Sequence, residues 1–355
     1  MYKSTRRYGL NSRLYVTNPW AVIEGSIKRR CPANSQPEAV ASARQAEQFF
    51  KASREAQLWA SKPLLTYYSF LNLAKAYALT EGLRTTYDKA QHGLSEQIKP
   101  DGQELVDSVL TAFPSPNNKG IAQGFSEFLA AISGTGITQP TAFNITALLP
   151  QIVTGHRLWC DATDEDERFL ALDSIDFMEN PQQKTLWIDF RVGEDGLTAL
   201  NLTHATLLTN SRLAQGWTDV KGVTDPATGR RMLRFQQKST HTYTARPSDE
   251  IPNLIKSVRP YIWTTVTTVR PFRKYYLYFC PPAEQGQVLP QVVSIYAVFY
   301  YLGSVTRYRP QQFDTLLNGS FGEQLQETLT NVPNQFLYLM ASGFAQREVS
   351  RAAIV

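Results

Sequence analysis

Basic side chains that could bind a ligand lie in the central part of the chain, within segments predicted to be β-strands. They are Arg230, Arg231, Arg234, Arg270, Arg273 and Lys274. Arginine and lysine neutralise phosphates, and aromatic residues beside them can stack on bases. Successive residues of a strand point to opposite faces, so Arg273 would point away from Arg270 and Lys274. The pattern indicates a nucleic-acid or partner surface, with a solvated sheet face as the alternative.

Two further arginines, Arg307 and Arg309, flank Tyr308 just before Pro310. They follow a long apolar segment, and a cation near the C-terminus of a helix interacts favourably with the helix dipole. The planar guanidinium also suits two-pronged contact with a phosphate or a carboxylate. The sequence leaves both roles open, and we count both arginines as candidate binding residues.

Familiar catalytic and metal-binding motifs are not found in the sequence. It contains no phosphate-binding P-loop, no dinucleotide-binding glycine pattern, no H-E-x-x-H and no G-x-S-x-G. Its three cysteines and four histidines are scattered, which disfavours a zinc site and a disulfide framework. The acidic run 161–167 is predicted to be a solvated loop. We therefore expect no metal and no cofactor.

The composition is that of a protein with a substantial core. The chain has 355 residues, of which 43% are hydrophobic and 12% aromatic, and its net charge is +5. This excludes global disorder and permits an acidic partner such as nucleic acid. The N-terminus lacks the apolar segment of a secretory signal, and the stretch Val288–Val305 is shorter than the ~20 apolar residues of a spanning helix. We expect a cytoplasmic protein with no membrane contact.

Apolar spacing predicts two long antiparallel helices over residues 38–82. The first carries apolar residues at three- and four-residue steps as far as Trp59, and the second is apolar nearly all round. The residues predicted to pack them together are Phe49, Phe50, Trp59, Tyr68, Leu71 and Ala78. The sequence thus predicts a helical bundle at this end of the chain.

The order of patterns along the chain predicts an α+β fold. We expect an irregular segment (1–36), a helical domain (37–160), a mainly antiparallel β region (161–286) and C-terminal helices that pack back on the body (287–355). A weak helix is predicted just after His92. Alternating apolar and polar residues around 184–192 and 231–239 predict strands, with a hairpin turn before Met232.

Three short motifs resemble the YaaC-like family of bacterial proteins. They are the helix pattern from Pro63 to Leu79, the tripeptide His92-Gly93-Leu94, and Arg307 to Pro310, which has the form Arg-Tyr-x-Pro. The matches lie towards both ends of the chain. The resemblance therefore implies a relationship over most of the length, and it implies no activity.

The N-terminal helices also resemble HEPN domains, small helical bundles of toxin–antitoxin and phage-defence systems. The likeness covers residues ~40–130 and rests on Tyr67-Tyr68 and the following helix, and on His92-Gly93. In HEPN ribonucleases an arginine precedes a histidine by four to six residues. The histidine takes the proton of the ribose 2′-hydroxyl and the arginine stabilises the phosphorane, without metal. Arg84 and His92 would be that pair, but seven residues separate them here.

Two functions remain open after the motifs are weighed. The first is a non-enzymatic binding or scaffold subunit of a bacterial multi-protein system, in the defence or toxin–antitoxin setting that the HEPN resemblance implies. Such a subunit would contact other proteins, RNA or DNA, and a homodimer is compatible with it. The alternative is a metal-independent ribonuclease using Arg84 and His92. The absence of a convergent set of acids, bases and nucleophiles favours the first.

Overall fold

The computed structural model describes residues 13–97, 105, 108–116, 120–225, 228–266 and 273–352. The described chain forms two compact units, a helical unit within residues 14–165 and 287–352 and a β unit of Arg13 and residues within 166–286. The sequence prediction had the C-terminal helices pack back on the body, and they share the helical unit with the N-terminal ones. The fold is a mixed α+β fold, with helices towards both ends and antiparallel sheets in the middle.

The helices of the described chain have the following bounds. They are α1 (Pro19–Arg30), α2 (Gln36–Glu55), α3 (Lys62–Thr80), α4 (Gly124–Ser133), α5 (Ile145–Leu148), α6 (His156–Thr163), α7 (Glu194–Ala199), α8 (His204–Asn210), α9 (Leu213–Gly216), α10 (Pro247–Val258), α11 (Gln291–Tyr308), α12 (Pro310–Asn318) and α13 (Gly322–Ala345). Short 3-10 helices cover Trp59–Ser61, Leu149–Gln151 and Pro282–Gln287.

The strands of the described chain have two to nine residues each. They are β1 (Arg13–Val16), β2 (Ala90–Gln91), β3 (Leu94–Gln97), β4 (Val109–Ala112), β5 (Ala122–Gln123), β6 (Thr141–Asn144), β7 (Phe169–Ala171), β8 (Ser174–Asn180), β9 (Thr185–Gly193), β10 (Trp217–Thr224), β11 (Arg231–Gln237), β12 (His241–Thr242), β13 (Trp263–Val266), β14 (Arg273–Tyr278) and β15 (Glu348–Arg351).

Helix α1 lies in the segment that the sequence predicts to be irregular. The Asn18 side chain accepts a hydrogen bond from the Trp20 backbone amide and caps the helix, with Pro19 in its first turn. Trp20, Ile23 and Ile27 are buried along one face. The prediction was wrong here because the apolar residues of this short segment give a weak periodicity. Burial of Trp20, Ile23 and Ile27 against other helices stabilises the helix nonetheless.

The predicted helical pair 38–82 is present as α2 and α3. The helices are antiparallel, since Ser69 Oγ donates to the Ala46 carbonyl and the rings of Phe49 and Tyr68 stack with centroids 5.5 Å apart. The first helix ends at Glu55, earlier than predicted. Trp59 lies in a 3-10 turn and is 36% exposed, so its predicted place between the helices is wrong.

The centre of the helical unit is formed by α3, α11 and α13. Phe70 of α3 lies against Phe299 of α11 and stacks on Phe336 of α13, with centroids 5.0 and 3.7 Å apart. Residues 291–305 of α11 are all buried, which confirms the prediction of a buried core helix. Gly303 allows α11 to approach α3, because a Cβ there would lie 3.2 Å from Tyr67 Cβ. Among the described residues, no helix is both long and apolar enough to cross a membrane.

Small sheets complete the helical unit. Strands β3, β4 and β6 form an antiparallel sheet, β2 pairs with β5 in parallel, and β1 pairs with β15. The weak helix predicted after His92 is therefore wrong, because Leu94–Gln97 is strand β3. The four residues pair with Val109–Ala112, a partner that local sequence does not reveal.

The β unit contains two antiparallel sheets. One has the order β10-β11-β9-β12 with β8 also paired to β9, and the other has the order β13-β14-β7. The predicted strands at 184–192 and 231–239 are present as β9 and β11, and β10 and β11 form the predicted hairpin. The rings of Phe190 and Trp217 stack with centroids 4.7 Å apart in the core of the β unit. The short helices α7, α8 and α9 lie between β9 and β10 in the chain.

Candidate functional site

Three sequence motifs that lie far apart in the chain meet at one place in the helical unit. The phenol oxygen of Tyr67 in α3 lies 2.6 Å from Nδ1 of His92, which follows β2. The His92 ring also lies 5.9 Å, centroid to centroid, from Tyr300 of α11. At the end of α11, Arg307 donates a 2.7 Å hydrogen bond to the Tyr68 phenol. We call Tyr67, Tyr68, His92, Tyr300, Arg307 and Tyr308 the tyrosine–arginine cluster.

His92 is fixed by the backbone around it. Its carbonyl accepts a 3.0 Å hydrogen bond from the Phe125 amide at the start of α4. Gly93 has a φ of +79°, and a Cβ at this position would lie 2.9 Å from the carbonyl carbon of Gln123. The carbonyl of the next residue, Leu94, accepts a 2.8 Å hydrogen bond from the Tyr300 phenol. The His-Gly-Leu motif thus turns the chain tightly and directs the imidazole towards Tyr67.

The environment of His92 favours the neutral imidazole. Burial lowers the pKa of His92, and the positive charges of Arg307 and Lys75 lower it further, whereas Glu96 acts in the opposite direction. Burial also raises the pKa of Tyr67 well above its usual value. At neutral pH the ring is therefore an uncharged hydrogen-bonding group beside a protonated phenol.

Arg307 is the exposed cation of the cluster. Besides the bond to Tyr68, its guanidinium donates to the Tyr308 phenol and lies over the Tyr308 ring, 4.4 Å from the centroid. Tyr308 is 60% exposed, and Tyr68 is backed by Phe49 through the stacking already described. Both hydrogen-bond partners are neutral phenols, so neither cancels the charge of Arg307.

Arg84, the other candidate catalytic residue, forms its hydrogen bonds elsewhere in the helical unit. Its Nε donates a 2.7 Å hydrogen bond to Glu127, and its Nη atoms donate to Ser115 Oγ and to the carbonyls of Pro116 and Gly120. The two charged side chains are only 7% and 10% exposed. Within the described residues, no hydrogen bond or ring contact joins Arg84 to His92. The structure brings His92 together with Arg307.

The candidate arginines around the β10–β11 hairpin lie beside carboxylates. Arg230 contacts Asp195 and lies 2.6 Å from Asp173. Arg234 lies 2.8 Å from the fully buried Asp189, and Arg231 lies 3.8 Å from Glu194 and is 81% exposed. These contacts compensate the positive charge locally and weaken the attraction of this face for phosphates.

The remaining candidates differ in accessibility. Arg273 is buried in β14, whereas its neighbour Lys274 is exposed, which matches the alternation expected of a strand. Arg270 lies outside the described residues. The carbonyl of Arg309 accepts hydrogen bonds from Gln312 and Phe313 at the start of α12, and its side chain is half-buried.

Sequence reasoning missed the tyrosines of this cluster as site residues. Tyr67, Tyr68 and Tyr300 lie in apolar helices and resemble core residues in the sequence. A signal was present nonetheless, because Tyr67-Tyr68 belongs to the same family-like pattern as the His-Gly-Leu and Arg-Tyr-x-Pro motifs. Taking those three motifs as parts of one site would have brought these tyrosines together with His92 and Arg307.

In the described part of the chain, no side chains are assembled into a site for metal binding or for thiol chemistry. No group of three or more His, Cys, Asp or Glu side chains there is placed to hold a metal ion. Cys31, Cys160 and Cys280 are buried and form no disulfide, and burial raises the pKa of Cys280 to about 11.

The fold and the site define a two-unit α+β protein whose motif residues converge on a tyrosine–arginine cluster. The sequence model of the YaaC-like protein family matches residues 9–344, nearly the whole chain. The chain therefore belongs to the YaaC-like family, as its three motifs predict. Neither a curated protein nor a solved structure shows significant similarity to it, and the resemblance to HEPN domains is not supported by these comparisons.

Proposed function

We propose that this protein is a non-enzymatic binding protein that holds single-stranded nucleic acid at the tyrosine–arginine cluster, as a subunit of a larger protein assembly. Proteins that bind single strands without reading sequence combine exposed cations with aromatic rings on which bases stack. Here Arg307 supplies the cation and Tyr308 the exposed ring. Arg307 lies between two tyrosines and has no carboxylate partner among the described residues, and this placement carries the proposal.

The surroundings of Arg307 add to the argument. Lys75 and Arg307 both contribute positive charge at His92, and Glu96 is the acidic group that opposes them. A neutral His92 can donate a hydrogen bond to a base or a sugar, or accept one from it. Because the ring is uncharged, it adds no electrostatic repulsion or attraction. The cluster thus offers charge, stacking surface and hydrogen bonding within a small area, whereas the arginines of the β10–β11 hairpin are compensated by carboxylates.

The alternative, a metal-independent ribonuclease, would require Arg84 to face the same phosphate as His92. All three guanidinium nitrogens of Arg84 already donate to protein acceptors, and one of these acceptors is the buried Glu127 carboxylate. Freeing Arg84 would leave that carboxylate buried and uncompensated, which is costly. This arrangement favours a structural role for Arg84 and binding over cleavage.

The test is fluorescence anisotropy with a labelled single-stranded RNA and the DNA of the same sequence. We expect Tyr308→Ala to weaken binding by the ~1–3 kcal/mol of a lost base stack. We expect Arg307→Gln to weaken it as well and to reduce the salt slope by about 0.7, the value for one phosphate contact on a single strand. Arg157→Gln is the matched control, because Arg157 is 75% exposed in α6 of the same unit.

Three results would contradict the proposal. The first is equal binding by the wild type, Arg307→Gln and Tyr308→Ala. The second is a loss in Arg231→Gln with none in Arg307→Gln, which would move the site to the β unit. The third is metal-independent cleavage of the RNA that disappears in His92→Ala with an unchanged melting curve, which would establish the ribonuclease.

A further inference from the structure

A pocket of about 100 Å³ lies in the helical unit where the end of α2, the start of α3 and the middle of α13 meet. Its lining residues are Ser53, Arg54, Lys62, Thr66, Leu329, Thr330 and Pro333. One water needs at least ~10–15 Å³ of such volume, so the pocket holds more than one water. It is smaller than the roughly 300–1,000 Å³ of sites for drug-sized ligands. Its size therefore fits a small ion.

The lining is positively charged. Arg54 and Lys62 contribute cations, and none of the seven lining residues is acidic. One Nη atom of Arg54 donates a 2.8 Å hydrogen bond to the Thr330 carbonyl, which anchors the guanidinium and leaves its other donors available. The Lys62 ammonium lies over the Trp59 ring, 4.2 Å from the centroid. Two cations without a lining carboxylate favour an anionic occupant.

Thr66 contributes a hydroxyl group to the lining of the pocket. The residue is only 1% exposed and lines the pocket, yet the described residues offer its hydroxyl no hydrogen-bond partner. An oxyanion in the pocket could accept a hydrogen bond from this hydroxyl. Thr66 also lies near the start of α3, where Ser61 makes no side-chain cap.

We infer that this pocket binds a small tetrahedral oxyanion, with free inorganic phosphate as the ligand class. Arg54 and Lys62 balance the charge, and Thr66 donates its hydroxyl hydrogen to a phosphate oxygen. The positive end of α3 adds to the attraction. The small volume accommodates a free ion of this size.

This pocket is separate from the tyrosine–arginine cluster and does not depend on the function proposed for it. Thr66 and Tyr68 are two residues apart on α3 and so point about 200° apart around the helix axis. The pocket and the cluster have no residue in common. A variant can therefore lose phosphate binding and keep nucleic-acid binding, or lose nucleic-acid binding and keep phosphate binding.

The experiment is isothermal titration calorimetry of the full chain with inorganic phosphate at constant ionic strength. We expect Arg54→Gln, Lys62→Gln and Thr66→Val each to weaken phosphate binding, with the arginine and lysine changes weakening it about ten-fold. The control is Lys51→Gln, one turn earlier on α2, where Lys51 is 64% exposed and paired with Glu47. It should bind phosphate as the wild type does.

Melting curves recorded without phosphate show that each variant is folded, and they keep the test valid if Thr66→Val loses stability. No measurable heat with wild-type protein would overturn the inference, as would an equal loss in Lys51→Gln and Arg54→Gln, which would show non-specific attraction. Tighter binding of glycerol phosphate than of inorganic phosphate would also contradict it, because the ligand would then be a phosphate ester.

Discussion

The phenol of Tyr67 and the imidazole of His92 are joined by a 2.6 Å hydrogen bond between Oη and Nδ1. Burial holds the pKa of Tyr67 well above its usual value, so the phenol keeps its proton. When the Tyr67 hydroxyl donates a hydrogen bond to Nδ1, the neutral imidazole carries its own proton on Nε2. The bond connects α3 to the turn after β2, and it orients the His92 ring. The two functional hypotheses assign different roles to this ring.

This pair leads to a prediction about pH. Burial and the charges of Arg307 and Lys75 lower the pKa of His92 in the folded state, so the unfolded chain binds this proton more readily. The folded state therefore loses stability as the pH falls below the unfolded pKa of about 6.5, and the loss is complete once the pH has passed the lowered folded value.

We expect the melting temperature of the wild type to fall further between pH 7.5 and pH 5 than that of His92→Gln. Glutamine cannot titrate at this position. The difference between the two proteins removes the contributions of the other groups. Melting curves in matched buffers measure it. Parallel pH profiles for the two proteins would show that burial does not shift the pKa of His92.

Gly93 is predicted to be required for the turn that presents His92. Alanine at a φ of +79° costs about 1–2 kcal/mol, and its Cβ would also meet the Gln123 carbonyl carbon at 2.9 Å. Such overpacking costs a further ~1–3 kcal/mol. Gly134 is the matched control, because its φ is +89° and a Cβ there would meet no atom within 4 Å.

Urea unfolding of Gly93→Ala and Gly134→Ala separates the two contributions. Gly134→Ala should lose only the backbone part, about 1–2 kcal/mol, and Gly93→Ala should lose clearly more. Equal losses would mean that the chain around Gln123 moves aside without cost.

Long helices with continuous apolar patterns could be predicted from sequence, whereas α1 and β3 were missed. Helices α2, α3 and α11 are long enough for their periodicity to be recognised, and β9 and β11 show sufficient alternation. Helix α1 and strand β3 have few residues, and their formation depends on burial or pairing with parts of the chain far away in sequence. Local patterns do not carry that information.

The candidate site was predictable in part, for the same reason. His92 and Arg307 could be selected by residue type and motif, but their convergence through Tyr67, Tyr68 and Tyr300 is a property of the folded chain. The compensation of Arg230 by Asp173 and Asp195 likewise joins residues that lie apart in sequence. The same limit applies to Arg84, whose partner Glu127 is 43 residues further along the chain.

The core around α3 should not tolerate a buried charge. Leu71 is 6% exposed, and Leu71→Asp would bury an unpaired carboxylate at a cost of several kcal/mol. Leu58, in the connection between the two helices, is 71% exposed and gives the same substitution at the surface. Leu58→Asp should change the free energy of unfolding by no more than about 0.5 kcal/mol. A Leu71→Asp protein with the melting temperature of Leu58→Asp would show that Leu71 is not in the core.

The pair Arg84 and Glu127 permits a decisive test of whether the arginine is structural or catalytic. The two side chains are 7% and 10% exposed and lie 2.7 Å apart, with Ser115 bonded to both. Removing one member of a buried ion pair leaves the other charge uncompensated, which costs about 3–5 kcal/mol. Arg84→Met and Glu127→Leu should each destabilise the protein by that order.

The double variant Arg84→Met/Glu127→Leu has no buried charge at this position, so it should be more stable than the sum of the single changes predicts. Urea unfolding of the wild type, both single variants and the double variant gives the coupling free energy, which we expect to exceed about 1 kcal/mol. If Arg84 acted instead on a substrate phosphate, Arg84→Met would leave stability nearly unchanged and abolish metal-independent RNA cleavage. A structural arginine gives the opposite result, in which a large loss of stability is recovered when Glu127 is also removed.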